Sequence, residues 1–232
     1  MIAPAPRSTS FTILREVARG GAGAVYEAMD EVLGRRVAFK VYHREGEDRM
    51  HLEREVRLAA KLAGAGIVRV LDASPESGWI ALEWVGAGSL REWIREAREE
   101  LAPIERWAVP LARALGRVHR AGLVHLDVKP GNVLMRERDE PLLTDFGIAR
   151  ELGEKTLGGS AGYLSPERLA GAPASAGDDL YGFGRILEDA LDALSRGAPR
   201  EDAPLRRVVE RCLAPAAERF ASAEELTAAL CR

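Results

Sequence analysis

The chain reads as an α+β fold, and three patterns predict it. Residues 11–42 alternate apolar and polar side chains around glycine turns, and two more strand-like runs follow at 67–73 and 79–83. A single stretch of helical spacing separates those two groups of strands. From residue 89 onward helical periodicity dominates. The expectation is a five-stranded antiparallel sheet plus one helix, followed by a mostly helical lobe.

Taken in order, residues 1–10 are rich in proline, serine and threonine and read as a flexible N-terminus. Three antiparallel strands then fill 11–42, with Gly34-Arg35-Arg36 at the second turn. Met50, Leu52, Val56, Leu58, Ala59 and Leu62 recur at helical spacing, and Gly64 and Gly66 supply the stop. Past the two further strands, Gly86-Ala87-Gly88 marks a change of texture. It divides an N-terminal lobe (11–82) and a connecting segment (83–88) from a C-terminal lobe (89–232). Ser89-Leu90-Arg91-Glu92 has the form of a capping box, and 104–121 is a long helix ended by Gly122. Further helices are expected at 177–195, 204–214 and 222–231, the last opened by Ser222-Ala223-Glu224-Glu225.

At 232 residues the chain can build a sizeable core, and 47% hydrophobic with 30% charged is ordinary globular composition. A net charge of −3 gives no overall attraction for nucleic acid or an anionic membrane, so no nucleic-acid partner is expected. Cys212 and Cys231 lack metal or disulfide spacing and read as free thiols of a reducing compartment. No signal-peptide core and no run of ~18 apolar residues is present, so a cytoplasmic protein without a membrane segment is expected.

Three groups of residues carry chemistry. Val17-Ala18-Arg19-Gly20-Gly21-Ala22-Gly23-Ala24-Val25 places glycines where a hairpin backbone can approach phosphates closely. In Val37-Ala38-Phe39-Lys40, Ala38 leaves room for a flat ring and Lys40 can reach phosphates, with Glu55 of the following helix as its orienting partner. Surface pairing of Glu55 with Arg54 or Arg57 is the alternative. The third group is His125-Leu126-Asp127-Val128-Lys129-Pro130-Gly131-Asn132, followed by Thr144-Asp145-Phe146-Gly147. Asn132 is the only asparagine, and only Lys40, Lys61, Lys129 and Lys155 of 33 basic residues are lysines, so these residue types at these positions are informative. Asp127 can accept a proton from a hydroxyl, Lys129 can offset phosphoryl charge, and Asn132 with Asp145 can offer hard oxygen ligands to Mg²⁺. Short apolar strands at 133–135 and 142–144 separate the two loops.

These motifs resemble the eukaryotic-like protein kinase family, in particular its compact bacterial serine/threonine members, over about residues 11–231. The resemblance implies the two-lobed kinase fold, ATP and Mg²⁺ as cofactors, and protein substrates carrying serine or threonine. It extends to Ser165-Pro166-Glu167, to Asp179-Leu180-Tyr181-Gly182-Phe183-Gly184 and to Arg219. By resemblance Asp179 braces the catalytic loop, and Arg219 pairs with Glu167. Leu82 becomes the gatekeeper, the backbone of Glu83 and Val85 binds adenine, and Val25, Ala38 and Leu134 sandwich the ring. Side chains 40, 127, 132 and 145 would then converge on one triphosphate. Lys129, two residues after Asp127, follows the serine/threonine pattern, and Ser160 offers a hydroxyl to Asp127 and Lys129.

The chain departs from the family at several points. Ala18 replaces the first loop glycine and Ala22 a bulkier tip residue, which predicts slow turnover. Leu126 stands where many members have arginine, which predicts activity without phosphorylation of Thr156 or Ser160. Residues 196–203 are too few for a helix that often docks substrates. Two rivals stay open, a pseudokinase scaffold and a small-molecule phosphotransferase. Ser165-Pro166-Glu167 with Arg219 weighs against the second.

Overall fold

The computed structural model describes residues 11–20, 23–42, 47–62, 64, 66–96, 103–156, 158–195 and 203–231. The expected loose segment at 1–10, Gly21 and Ala22 of the glycine-rich turn, the 196–202 connection and Arg232 lie outside the described residues. The chain divides into two compact units, Met1–Ala63 with Val68–Val85, and Gly64–Ile67 with Gly86–Arg232.

In the first unit β1 (Phe11–Gly20), β2 (Gly23–Asp30), β3 (Arg35–Tyr42), β4 (Val70–Ser74) and β5 (Trp79–Glu83) form one antiparallel sheet of order β1-β2-β3-β5-β4. Alternation sorts its faces. Ala28, Val37, Phe39, Trp79 and Ala81 form a core on one side, where the rings of Phe11, Phe39 and Trp79 meet at centroid distances of 5.0–5.6 Å. Cross-strand pairs Val25–Lys40 and Glu27–Ala38 share the opposite face. The β2–β3 turn closes because the Asp30 carboxylate accepts from the backbone N–H groups of Val32 and Leu33 and from Arg35. Helix α1 (Glu47–Lys61) buries Leu52 and Leu58 together with Glu55.

In the second unit α2 (Leu90–Arg95) and α3 (Glu105–Arg120) precede the short strands β6 (Leu123–Val124), β7 (Val133–Glu137), β8 (Glu140–Leu143) and β9 (Arg150–Glu151). Then come α4 (Pro166–Leu169), α5 (Ala176–Ser195), α6 (Ala203–Leu213) and α7 (Ala223–Leu230). The central helix is α5, whose Leu180, Phe183, Ile186, Leu187 and Ala190 are fully buried. Two of its three glycines permit close approach: a Cβ on Gly182 would lie 2.6 Å from the Val128 carbonyl oxygen, and one on Gly184 would lie 2.4 Å from Cys212 Cβ. Glu92 takes both the N–H and the hydroxyl of Ser89 at the start of α2. At α7 the Ser222 hydroxyl accepts from Glu225 N–H, while the Glu225 carboxylate reaches Ala221 rather than Ser222.

One expected strand is shorter than its apolar run. The apolar run 67–73 predicts extended chain, yet β4 starts at Val70. Ile67 instead bridges Leu143, and Gly66 accepts from the Leu143 N–H, which ties 64–67 to the second unit. Gly66 holds φ 86° with a would-be Cβ 2.7 Å from Ala114 Cβ, so the glycine that stops the helix also serves as a packing contact.

Candidate active site

In the first unit, Lys40 Nζ lies 3.3 and 3.2 Å from the two oxygens of Glu55, and the ammonium stands 4.7 Å from the centre of the Tyr42 ring. The Lys40 and Glu55 side chains are 12% and 3% exposed. Glu55 therefore pairs across the strand–helix gap, as the spacing suggests. Val25 and Ala38 are half-buried on the Lys40 face of the sheet. Val17 sits at a register shift in β1, and Ala18 pairs with Val25. Gly20 pairs with Gly23 at the hairpin end, where a Cβ on Gly23 would lie 2.0 Å from the Val41 carbonyl oxygen. Leu82 and Val85 are buried. The Glu83 N–H is taken by the Arg69 carbonyl, so an adenine contact at this residue can only be made through its own carbonyl.

In the second unit Asp127, Lys129, Asn132 and Ser160 form one hydrogen-bonded group. Asp127 Oδ2 accepts from Lys129 Nζ at 2.6 Å and from Asn132 Nδ2 at 2.8 Å, and the same Asn132 amide donates to the Asp127 backbone carbonyl at 2.9 Å. Lys129 Nζ also donates to Ser160 Oγ at 2.6 Å. The other carboxylate oxygen, Asp127 Oδ1, is buried and has no partner. An unsatisfied buried acceptor is costly and calls for an explanation.

His125 joins this loop to the next. Its Nδ1 accepts from the Asp127 N–H and its Nε2 donates to the Thr144 carbonyl, while its ring packs 4.6 Å from that of Phe146. Thr144 N–H donates to the Asn132 carbonyl, beside the β7–β8 pairs that begin at Val133–Leu143. Asn132 and Asp145 thus leave adjacent strand ends. With its N–H groups on Asp127, Asn132 has its amide oxygen available. One amide oxygen and one carboxylate suit a hard cation that keeps most of its water, so the donor set fits Mg²⁺.

Backbone strain concentrates here. Among the described residues only Leu126 (φ 67°) and Asp145 (φ 65°) are left-handed without being glycine. Such conformations cost about 1–3 kcal/mol and persist where surroundings over-determine them. For Leu126 those surroundings are clear. The Asp179 carboxylate, on α5, accepts from the Leu126 N–H at 2.8 Å, the His125 N–H at 2.8 Å and His119 Nε2 at 2.9 Å. The Leu126 side chain packs into a cluster with Val124, Ala174 and Ile148. Where a cation was missed in the sequence, the structure has an apolar plug.

Arg219 and Glu167 are paired at 2.5 Å, and Arg219 spends its other donors on the Ala214 and Gly177 carbonyls. Burial raises the Glu167 pKa, but the Arg219 hydrogen bonds and charge more than offset it, leaving the carboxyl below its ordinary value. Burial likewise pushes the Asp178 carboxyl up, although Ser165 and Ser175 hydrogen-bond to it. Sequence reasoning missed Arg168. It is 6% exposed, donates to the Thr156 and Ala172 carbonyls, and keeps its buried Nε unpartnered. No periodicity or motif marks it among 33 basic residues.

The protein kinase domain family matches residues 11–197, and the chain belongs to that family. It is 37% identical over 193 residues to a probable serine/threonine-protein kinase of Clostridium acetobutylicum, covering 78% of this chain and 29% of that protein. It is 38% identical over 198 residues to serine/threonine-protein kinase PknK of Mycobacterium tuberculosis, with 78% and 17% covered. To AfsK of Streptomyces coelicolor it is 34% identical over 235 residues, with 88% and 29% covered. The chain therefore spans under a third of the length of these relatives. Among the described residues no helix is long and apolar enough to cross a membrane.

Proposed function

We propose that residues 11–232 are a protein kinase domain (N-lobe 11–82, hinge 83–88, C-lobe 89–232) that transfers the ATP γ-phosphoryl group to serine or threonine hydroxyls in the cytoplasm. The observation that carries this reading is the buried, partnerless Asp127 Oδ1. With Oδ2 held by Lys129 and Asn132, the carboxylate is fixed with one oxygen waiting for a hydroxyl proton. The substrate oxygen attacks the γ-phosphorus as its proton passes to Oδ1, and the bond to the β-phosphate oxygen breaks. Lys129 offsets charge on the phosphoryl group in flight.

Lys40, oriented by Glu55, positions the phosphates, and the backbone of Val17, Ala18, Gly20, Gly21 and Gly23 covers them. Val25, Ala38 and Leu134 flank adenine, which bonds to the backbone of Glu83 and Val85. Asn132 and Asp145 hold Mg²⁺, which when bound neutralises phosphate charge. Ala18 in the lid argues for slow turnover, within or below the ~1–100 s⁻¹ typical of kinases.

Activity is independent of phosphorylation at Thr156 or Ser160. Two features support that: Leu126 is fastened by apolar contacts, and Arg168 already grips the Thr156 carbonyl. Labelled ATP with Mg²⁺ should phosphorylate serine or threonine in a generic protein with the native chain and not with Asp127→Asn. Nucleotide binding with no incorporation would indicate a scaffold, and phosphorylation of small alcohols alone would indicate a small-molecule enzyme.

A further inference from the structure

Arg91 is held in place by its neighbours. Leu90 and Trp93 are buried, Trp93 Nε1 donates to the Ala87 carbonyl, and Met135 N–H donates to the Gly88 carbonyl. The start of α2 is thus tied to β7, the strand that leaves the catalytic loop, and Arg91 projects from the exposed side of the helix. Its guanidinium lies against Gly131: a Cβ there would be 2.6 Å from Nη2 and 2.9 Å from Cζ. Gly131 is not in the left-handed region. Its missing side chain therefore serves to seat the guanidinium and is not demanded by the backbone.

The seat adjoins the catalytic group. Gly131 lies between Lys129 and Asn132, both hydrogen-bonded to Asp127. Among the described residues Arg91 has no ion-pair partner. Among the described residues Glu188 is ion-paired with Arg185, while Glu92 accepts from Ser89 and Asp189 from the Tyr163 hydroxyl at 2.6 Å, both neutral donors. Burial and Asp189 push the Tyr163 phenol upward, while positive charge from both Arg91 and Arg185 pulls it the other way. A peptide presented to Asp127 meets, at the Gly131 seat, a guanidinium that no carboxylate among the described residues pairs with.

Resting on the transfer reading above, we propose that Arg91 is a specificity-determining residue that selects acidic peptide substrates, with an aspartate or glutamate within roughly three residues of the phosphoacceptor at ~3.3 Å per extended residue. A guanidinium forks onto a carboxylate, which gives direction as well as attraction.

The test is a peptide array around a fixed serine or threonine, with each flanking position carrying Asp, Ala or Lys. It is phosphorylated by the native chain and by Arg91→Ala, Arg91→Lys and Arg91→Glu. The native chain should prefer Asp to Ala at one position by roughly three- to five-fold in kcat/KM, the size of an exposed ion pair. The gain should be carried by KM and shrink as salt rises. Arg91→Ala should lose it, Arg91→Lys should keep most of it, and Arg91→Glu should prefer Lys, all with unchanged kcat on the Ala peptide. Arg91 is exposed in the first turn of α2, where glutamate suits the helix dipole, so the variants should fold. Equal phosphorylation of all three series by the native chain, or an acidic preference that survives Arg91→Ala, would overturn the role of Arg91 and leave the transfer reading standing. Phosphorylation of no peptide would remove both.

Discussion

Replacing Asp179 by asparagine should unlock the catalytic loop. The native carboxylate, with a fully buried side chain, accepts three hydrogen bonds, two of them from consecutive backbone N–H groups at His125 and Leu126. An asparagine side chain has one carbonyl oxygen, so it can serve only one of those amides and turns an N–H toward the other. The loss is one charge-assisted bond, worth about 1.5–3 kcal/mol, together with a stranded buried donor. Part of the cost returns if Leu126 relaxes from φ 67°, a conformation worth about 1–3 kcal/mol. The net destabilisation is about 2–4 kcal/mol, or a fall in melting temperature of roughly 4–16 °C at about 2–4 °C per kcal/mol. Calorimetry measures the fall. Transfer activity, assayed well below the new midpoint, should drop at least about ten-fold because Asp127 follows Leu126 directly, and a 1 Å misplacement already costs on the order of 10²-fold. A melting temperature within 1 °C of native with full activity would refute the clamp.

Glu167→Gln leaves the Arg219 guanidinium, 1% exposed, without its anion. Glu167 is itself a quarter exposed, so the cost should be about 2–3 kcal/mol, below the range for a fully buried pair. The folded-state pKa of Glu167 is depressed, so its contribution is present above the ordinary carboxylate value and is lost as pH falls through the folded pKa. Denaturant midpoints of native and variant should therefore converge in acid, and a constant gap down to pH 2 would contradict the pairing. Burial holds the Cys212 thiol up at about 12, whereas Cys231 is exposed. Alkylation at pH 8 should label one thiol in the folded chain and two in denaturant; two rapid labels in the folded state would be inconsistent with that burial. Thr156→Ala should keep transfer within about two-fold, because Arg168 holds the Thr156 backbone carbonyl and not its side chain. Loss of activity with nucleotide still bound would show that phosphorylation is needed.

Features encoded by local pattern are legible in the amino-acid sequence. Period-two alternation marked the sheet, helical spacing marked α1 and α3, and Asp127, Asn132 and Asp145 stood out because their residue types are rare or chemically specific at that spacing. Features that depend on encounters between distant segments were not readable. Nothing local distinguishes Arg168 from the other arginines, since its partners are carbonyls twelve residues before and four after it. Ile67 continues an apolar run toward β4, yet it joins Leu143 because Gly66 can nestle against Ala114. The handedness of Leu126 is dictated by Asp179, 53 residues away, and leucine itself disfavours it.

The most direct measurement is single-turnover phosphoryl transfer by Asp127→Asn against the native chain, with ATP affinity measured in parallel. If Asp127 Oδ1 takes the substrate proton, the rate of transfer should fall by roughly 10²–10⁴ while the ATP Kd changes less than about two-fold. Equal rates in the two proteins would mean that the buried carboxylate oxygen is not the base.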